Sequence, residues 1–200
     1  MNKFEKRSLT AYNKKAIGYD NTFDGRFTSK FKAMLLETVK IKSGSDVLDI
    51  ACGNGRLLNM FTERNSFNGY GIDISDKMIE QAKSLNPSMH FSIGSCEQIP
   101  YADHSFDVIT VCAAYHHFPY VDKFSKEAYR LIKNGGMIYI AEVYYPPVIR
   151  AACNPFIPLL NQGDVKLYAP DEIMDTLRKA GFRNQTYITS SHIQIVSACK

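Results

Sequence analysis

Two short stretches of the chain place a carboxylate near the end of an apolar run and glycines close by. In the first, Asp49 is followed by Gly53 and Gly55; in the second, the run ends in Asp73. Glycine lets bare backbone approach a ligand, and the N–H groups of a following helix point at it. Carboxylates at the ends of two neighbouring parallel strands predict a nucleoside-binding crevice.

The spacing of the glycines bears on which nucleoside the crevice would bind. A dinucleotide fold uses Gly-x-Gly-x-x-Gly, whose third glycine lets helix and strand pack closely around a pyrophosphate. Leu58 occupies that third position here, and Asp49 at the strand tip would repel a pyrophosphate. S-adenosylmethionine carries positive charge on its sulfonium and amino group, and its ribose diol suits Asp73. The residues therefore favour a cationic ligand over a nicotinamide dinucleotide.

The elements that must position these residues alternate between strand and helix. This alternation predicts a parallel, doubly wound α/β sheet. The last two strands are joined by too few residues for a crossover, so the final strand should be antiparallel. The predicted strands lie at 45–51, at a run ending in Asp73, and at 89–93, 106–111, 137–143, 184–189 and 192–198. The predicted helices lie at 31–41, 55–64, 76–82, 121–132 and 171–180.

Length and composition are those of a soluble globular protein. With 200 residues, 45% of them hydrophobic and 22% charged, the chain suits one domain, residues 1–200, with a substantial core. The charged N-terminus has no apolar run behind it, and no apolar stretch approaches the roughly 20 residues that span a bilayer. We therefore expect neither a signal peptide nor a membrane span.

Charge and cysteine content narrow the expected location and partners. The net charge of +4 is modest, and the basic residues near the N-terminus are interpreted as a solvated helix face, so no nucleic-acid partner is expected. The five cysteines are odd in number, scattered and without a CxxC pair. This usage favours a reduced, cytoplasmic protein, and no metal site is predicted. The sequence does not indicate an oligomeric state.

Several motifs follow one another in order over residues 44–143. They are Val47–Leu58, Gly69–Ala82, Glu97–Tyr101 with Ser105–Ile109, Tyr115–Phe118 and Tyr129–Gly136. On these motifs the chain resembles the class I S-adenosylmethionine-dependent methyltransferases, within them the small-molecule group that includes ubiquinone/menaquinone-biosynthesis (type 11) methyltransferases. The resemblance implies a Rossmann-like, seven-stranded sheet with helices on both faces and an antiparallel last strand, in agreement with the hairpin inferred above.

The resemblance also implies how residues would contact S-adenosylmethionine. Asp73 would hold both ribose hydroxyls, and Cys112 and Ala113 would offer backbone carbonyls to the methionine ammonium. Ser95 stands where the family usually has Asp as acceptor for the adenine amino group, and a serine hydroxyl accepts more weakly. The alternative is that these residues only pack at the strand ends. The full predicted set is Asp49, Ala51, Gly53 and Gly55 at the methionine part, Asp73 at the ribose, Ile74, Met78, Ser95 and Cys96 at the adenine, Cys112 and Ala113 at the ammonium, and Tyr19 near the sulfonium.

Two segments outside the main motifs would complete the pocket. Residues 1–42 look like a helical cap, whose Tyr12 and Tyr19 would lie near the sulfonium because an aromatic face attracts a cation. The alternative is that these tyrosines pack the first helix on the sheet. Residues 144–168, which are rich in apolar side chains, are interpreted as a lid over a hydrophobic acceptor or as a packed insertion.

The implied reaction is an in-line displacement from a sulfonium, which mainly requires that donor and acceptor be aligned and water excluded. A general base is needed only where the acceptor must lose a proton. His116 and His117, just after the fourth predicted strand, are candidates for that base. A packing role is the favoured interpretation of both, so no catalytic residue is assigned.

The leading prediction is methyl transfer to a small-molecule acceptor whose identity the sequence does not specify. A macromolecular acceptor is less favoured because Cys112–Tyr115 lacks the Pro-Pro-aromatic motif common in methylation of amide and nucleobase nitrogens. Cys112 also lacks the preceding proline of C5-methylating enzymes, since Val111 stands there. A non-catalytic S-adenosylmethionine-binding module and a nicotinamide enzyme remain open as alternatives.

Overall fold

The computed structural model describes all residues, 1–200, and contains seven α-helices and seven strands. The helices are α1 (Lys3–Lys15), α2 (Phe23–Thr38), α3 (Arg56–Thr62), α4 (Asp76–Leu85), α5 (Val121–Leu131), α6 (Pro147–Cys153) and α7 (Pro170–Ala180). The strands are β1 (Asp46–Ile50), β2 (Asn68–Asp73), β3 (His90–Ile93), β4 (Phe106–Cys112), β5 (Ile132–Val143), β6 (Arg183–Ser190) and β7 (Ile193–Cys199). None of the helices has both the length and the apolar character that crossing a membrane requires.

The seven strands form one sheet in the order β3-β2-β1-β4-β5-β7-β6. Neighbouring pairs among the first five strands are parallel, whereas β7 is antiparallel to both β5 and β6. Only Ser191 and His192 separate β6 from β7, so a hairpin is the one connection available. The predicted fold class, a doubly wound sheet with an antiparallel last strand, is confirmed.

Helices cover both faces of the sheet because its central strands are apolar on both sides. Leu48 and Ile50 of β1 belong to a core shared with α5 and α7, whereas Val47 belongs to the core under α2, α3 and α4. On this second face, Asp49 of β1 and Thr110 of β4 are buried polar residues and register partners. The polar pair therefore bridges the two central strands of the sheet.

The start of α2 differs from the sequence-based expectation. The apolar periodicity predicts a helix over 31–41, but α2 begins at Phe23. Thr22 caps it, because the Thr22 hydroxyl oxygen accepts a hydrogen bond from the Gly25 N–H at 3.0 Å. The first two turns of α2 are mostly polar, so the spacing of apolar residues does not predict that they are helical.

The junction between α5 and β5 also differs. The sequence predicts a helix stopped by the glycines of residues 134–136 and a strand from Met137, whereas α5 ends at Leu131 and β5 begins at Ile132. Ile132 pairs with Phe106, and the register then shifts before Val108. The glycines therefore lie within an irregular strand pairing rather than at a helix end.

The backbone is left-handed at three points just after β1 and β4. Ala51 and Ala113 have φ angles of 58° and 50°, and Gly53 has a φ of 53°. Such angles are uncommon in residues other than glycine and cluster at functional sites. They turn the chain sharply at the carboxyl ends of two adjacent strands, which is where the sequence places its candidate ligand contacts.

Gly55 and Gly44 allow a matched test of what the glycine turn contributes to stability. Both have positive φ, but a Cβ on Gly55 would lie 2.8 Å from Asn86 Nδ2 and 3.1 Å from Ala82 Cβ, whereas one on Gly44 would have nothing within 4 Å. We expect Gly44→Ala to lower the free energy of unfolding by about 1 kcal/mol and Gly55→Ala by at least about 2 kcal/mol, because the second adds steric strain. Urea denaturation measures both, and equal losses would contradict this account of the packing.

Candidate active site

A cavity opens at the carboxyl ends of β1, β2 and β4. It encloses about 980 Å³ of empty space, including its open mouth, and is lined by 25 residues. Of the twelve residues predicted to contact a cofactor, eleven line it: Tyr19, Asp49, Ala51, Gly53, Asp73, Ile74, Met78, Ser95, Cys96, Cys112 and Ala113.

Gly55 is the predicted residue that the structure does not bring to the cavity. Its Cα faces α4 instead, where Asn86 and Ala82 pack against it. The amide of Asn86 also donates a hydrogen bond to the Gly55 carbonyl oxygen at 3.2 Å. The close approach of α3 to α4 therefore explains why a glycine is needed at position 55. Gly53 is the glycine of this turn that adjoins the cavity.

Backbone N–H groups hold the Asp73 carboxylate in place at the end of β2. The Gly53 N–H donates to one carboxylate oxygen and the Ser75 N–H to the other, each at 2.8 Å. Burial raises the pKa of Asp73, although these two hydrogen bonds favour its ionised form. Each oxygen keeps lone-pair capacity, so the group can accept hydrogen bonds from a ligand diol.

Asp49 lies deeper, with 1% of its surface exposed. The Thr110 hydroxyl donates to Asp49 Oδ1 at 2.7 Å across the β1–β4 pair. Burial raises the pKa of Asp49 to about 7, although the Thr110 hydrogen bond and the charge of Lys32 act in the opposite direction. A cationic ligand group at this position would stabilise the ionised form.

Lys32 lines the cavity but is not among the residues that the sequence predicts there. It is buried on α2, and its ammonium group donates to Thr28 Oγ1 at 3.0 Å and lies 5.8 Å from the centre of the Tyr19 ring. A signal was available: Lys32 follows Phe31 and precedes Leu35 by three positions, so it borders the apolar face of the helix. The cavity therefore contains a buried cation as well as carboxylates.

Glu5 is a second missed residue. It lines the cavity from α1, and Ser95 Oγ donates to its Oε1 at 2.9 Å. Its other oxygen accepts the Asn2 N–H at 2.8 Å, which completes a capping box at the start of α1. The sequence indicates only this capping role, because nothing local shows that the helix end faces the sheet.

Tyr12 and Tyr19 both line the cavity, with ring centres 6.2 Å apart. The Tyr12 hydroxyl is 3.0 Å from His117 Nε2. Tyr12 thus connects α1 to the turn after β4, and the two rings place aromatic surface beside the polar groups described above.

His116 and His117, the candidate bases, occupy different positions. His117 lines the cavity, whereas His116 does not and instead places Nδ1 2.9 Å from Glu142 Oε1. Burial lowers the pKa of His116, but Glu142 and Asp164 outweigh it and the net shift is upward. Burial, reinforced by the charge of His116, lowers the pKa of His117 well below its usual range.

The segment 144–168 contributes no residue to the cavity lining. Several of its apolar side chains are exposed, among them Phe156 at 67%. α1 holds the segment in place, because Ser8 Oγ donates to the Gln162 carbonyl oxygen at 3.1 Å and the Arg7 guanidinium to the Pro158 carbonyl oxygen at 3.0 Å. The segment therefore lies against the helix that provides one wall of the cavity.

Comparison with known proteins identifies the family. A family model described as a methyltransferase domain matches residues 48–140. The chain is 25% identical to the demethylmenaquinone methyltransferase of Lactobacillus johnsonii, over 84% of this chain and 77% of that protein. It is similar in structure to the YcgJ protein from Bacillus subtilis, with a TM-score of 0.72 and 26% identity over 80% of this chain and 71% of that one. These matches support a class I S-adenosylmethionine-dependent methyltransferase of the ubiquinone/menaquinone-like group.

The family predicted from the motifs is therefore confirmed, and the chain is an S-adenosylmethionine-dependent methyltransferase. It is also 27% identical to the 27-O-demethylrifamycin SV methyltransferase of Amycolatopsis mediterranei, over 80% of this chain and 61% of that protein. Two relatives of nearly equal similarity are thus named for chemically different acceptors. The similarity identifies the class of reaction but not the acceptor.

The buried Asp49 makes the stability of this methyltransferase depend on pH. Because its folded-state pKa is raised from an ordinary 3.8 to about 7, ionisation costs folding free energy. That cost is absent at low pH, grows as pH rises from about 4, and is complete above about 7. Asp49→Asn, which keeps an acceptor for Thr110, should therefore stabilise the protein more at about pH 8 than at about pH 5, by an amount on the order of a few kcal/mol.

Urea denaturation of both proteins at the two pH values, without ligand, measures the difference. Asp20→Asn, at an exposed position, controls for the loss of one negative charge. A stabilisation by Asp49→Asn that is the same at both pH values would contradict the raised pKa.

Proposed function

We propose that this chain transfers a methyl group from S-adenosylmethionine, bound in the cavity, to a small-molecule acceptor. The observation that carries the proposal is the charge pattern of the cavity, which is lined by Asp49, Asp73 and Lys32 together. The donor has the complementary set: a diol, a cationic amino group and a carboxylate.

The proposed contacts begin at the ribose. Asp73, with both oxygens oriented by N–H groups, would accept hydrogen bonds from the diol. Ile74 and Met78 line the adjacent part of the cavity and would flank the adenine ring. Gly53 has no Cβ at the cavity and a left-handed φ, which supports close approach of the backbone to the ligand.

At the methionine end, we propose that opposite charges pair. Asp49 and the backbone carbonyls of Cys112 and Ala113 would receive the ammonium group, and Lys32 would receive the carboxylate. A buried lysine without a carboxylate partner is costly unless a ligand supplies one. Lys32 has only a hydroxyl partner, at Thr28, which supports this assignment.

At the adenine edge, Glu5 would replace the aspartate that the family usually carries at the position of Ser95. The Ser95 hydroxyl already donates to Glu5, so it keeps the carboxylate of Glu5 at this edge. A carboxylate accepts a hydrogen bond more strongly than a hydroxyl does. We therefore assign the adenine amino group to Glu5, with Ser95 and Cys96 completing the edge.

The protein's part in the reaction is alignment and exclusion of water. When bound, the donor supplies a methyl group on a sulfonium, which is already an activated electrophile. Tyr12 and Tyr19 would place aromatic surface near the positive charge and hold water away from it. If the acceptor must lose a proton, His117 is the only one of the two histidines that lines the cavity.

Three observations support a small-molecule acceptor. The relatives compared above are named for demethylmenaquinone and for 27-O-demethylrifamycin SV, both small organic compounds. The sequence after β4 lacks the Pro-Pro-aromatic motif. Burial also raises the pKa of Cys112 to about 12, which disfavours the thiolate that C5-methylation requires. We propose that 1–42 caps the donor and that 144–168, with exposed Val148, Phe156 and Leu159, adjoins a hydrophobic acceptor.

Calorimetric titration with S-adenosylhomocysteine tests the donor site. Wild-type protein should bind one equivalent, and Asp73→Asn should weaken binding roughly 10- to 100-fold because a charged acceptor is lost from the diol. Asp175→Asn on the exposed face of α7 should leave the affinity unchanged. No binding by the wild type at millimolar ligand, or equal binding by Asp73→Asn, would overturn the assignment.

Catalysis is tested separately from binding. The protein with S-adenosylmethionine and a metabolite extract should yield a product heavier by one methylene, about 14 mass units. Binding of S-adenosylhomocysteine without such a product from any extract would favour a non-catalytic binding module.

The proposed contact of Glu5 with the adenine amino group gives a second prediction, which a purely structural role of Glu5 would not give. S-inosylhomocysteine lacks the adenine amino group, so wild-type protein should bind it at least 10-fold more weakly than S-adenosylhomocysteine. Glu5→Gln should reduce this ratio, whereas Ser95→Ala should change it by less than about 3-fold. A ratio unaffected by Glu5→Gln would show that Glu5 only caps α1.

A further inference from the structure

A cluster of side chains of the types that bind metals lies at the wall of the cavity, and none of its three residues is a proposed contact of the donor. It consists of His116 and His117, after β4, and Asp164, from the segment before α7. Asp164 Oδ1 is 3.5 Å from His116 Nε2 and 3.7 Å from His117 Nδ1. One donor atom from each of the three residues lies within 4.8 Å of the other two.

Hydrogen bonding does not explain this arrangement. The distances to Asp164 exceed the usual N–H···O range of about 2.7–3.2 Å. His117 Nδ1 and Asp164 Oδ2 are both buried and have no hydrogen-bond partner. Buried polar atoms without partners are rare in folded proteins, and an ion is one of the things that satisfies them.

Each histidine is instead oriented from outside the cluster. His116 Nδ1 is 2.9 Å from Glu142, which leaves Nε2 directed to Asp164. The Tyr12 hydroxyl bonds to His117 Nε2 at 3.0 Å, which leaves Nδ1 directed to Asp164. A metal-binding histidine is typically held in this way, with one ring nitrogen fixed by a carboxylate or hydroxyl and the other free for the ion.

The charge around the cluster also favours a cation. Glu142 is completely buried and Asp164 is 15% exposed, so two carboxylates adjoin the two imidazoles. The ammonium of Lys15 pairs with Asp24 and Gln162 rather than with Asp164. The N–H groups of His116 and Val143 donate to Glu142, and a divalent ion would add the positive charge that Asp164 lacks.

We propose that His116, His117 and Asp164 bind a divalent metal ion, with Zn²⁺ as the best fit. Two nitrogen donors and one carboxylate suit Zn²⁺ better than Mg²⁺ or Ca²⁺, which prefer oxygen ligands. Ligands about 2.0–2.1 Å from a tetrahedral ion lie about 3.3–3.4 Å apart. The separations from Asp164 Oδ1, 3.5 and 3.7 Å, are close to this spacing.

The position of the ion has a structural consequence. The Val165 N–H already donates to the His116 carbonyl oxygen at 2.8 Å, so the turn after β4 and the segment before α7 are joined by a backbone hydrogen bond. The ion would add a cross-link between the turn after β4 and the segment before α7. Because His117 and Tyr12 line the cavity, this cross-link lies in the cavity wall, and three protein ligands leave a fourth position for water.

Metal binding is tested on the full chain without an affinity tag, after treatment with a chelator. Titration with Zn²⁺ against a chromophoric competitor should give one equivalent bound. Co²⁺ should give the visible bands of a four- or five-coordinate site without a thiolate charge-transfer band, since no cysteine is a proposed ligand.

Variants identify the ligands. His117→Ala and Asp164→Asn should each weaken Zn²⁺ binding at least 100-fold, and Glu142→Gln about 10- to 100-fold through the orientation of His116. His104→Ala, at an exposed position, is the control and should bind like the wild type. Binding of S-adenosylhomocysteine to metal-free Asp164→Asn shows that this variant is folded.

Wild-type protein that binds Zn²⁺ no more tightly than Asp164→Asn, or a Co²⁺ spectrum with a thiolate band, would overturn the metal site. Either result would leave the proposed methyl transfer unaffected, because donor binding is measured independently on the metal-free protein. Failure of S-adenosylhomocysteine to bind the wild type would overturn the proposed function and not the metal site.

Discussion

The burial of two carboxylates at one edge of the sheet is the constraint on which the rest of the structure depends. Asp49 and Asp73 come from neighbouring parallel strands, and both are removed from water. Each is held by the polypeptide itself: Asp49 by Thr110, and Asp73 by the N–H groups of Gly53 and Ser75. These bonds offset part of the desolvation penalty, and the raised pKa values show that part of it remains. A cationic, diol-bearing ligand would provide the remaining compensation.

The N-terminal helices complete this edge from a distance in sequence. α1 brings Glu5 and Tyr12 to the cavity, and α2 brings Lys32, whose charge counteracts the effect of burial on Asp49. The strands alone would form an open, strongly acidic crevice. With the helices in place, the crevice becomes a cavity that carries both signs of charge. The helices therefore contribute charged and aromatic groups to the cavity as well as cover.

The turn after β4 connects the cavity to the rest of the chain. His117 faces the cavity, while His116 faces Glu142 at the end of β5, and Asp164 approaches both rings from the segment before α7. Because adjacent residues on this turn point to different neighbours, one pair of histidines joins three parts of the structure. The sequence favours a packing role for both histidines. Packing alone does not explain why His117 Nδ1 and Asp164 Oδ2 are buried without a hydrogen-bond partner.

The sequence by itself determined the fold class and the class of donor. A strand, a glycine turn and a helix are contiguous, so the spacing of Asp49, Gly53 and Asp73 along the chain indicates their spacing in space. Two predictions from contiguous sequence differ from the structure. Gly55 is predicted to contact the ligand but packs on α4, and β5 begins earlier than its apolar run. Only the tertiary structure decided that Glu5, Lys32 and Asp164 approach the site. Glu5 lies far along the chain from Ser95, and Asp164 from the two histidines. For Lys32, helical periodicity shows which side of a helix is buried but not which neighbour covers it.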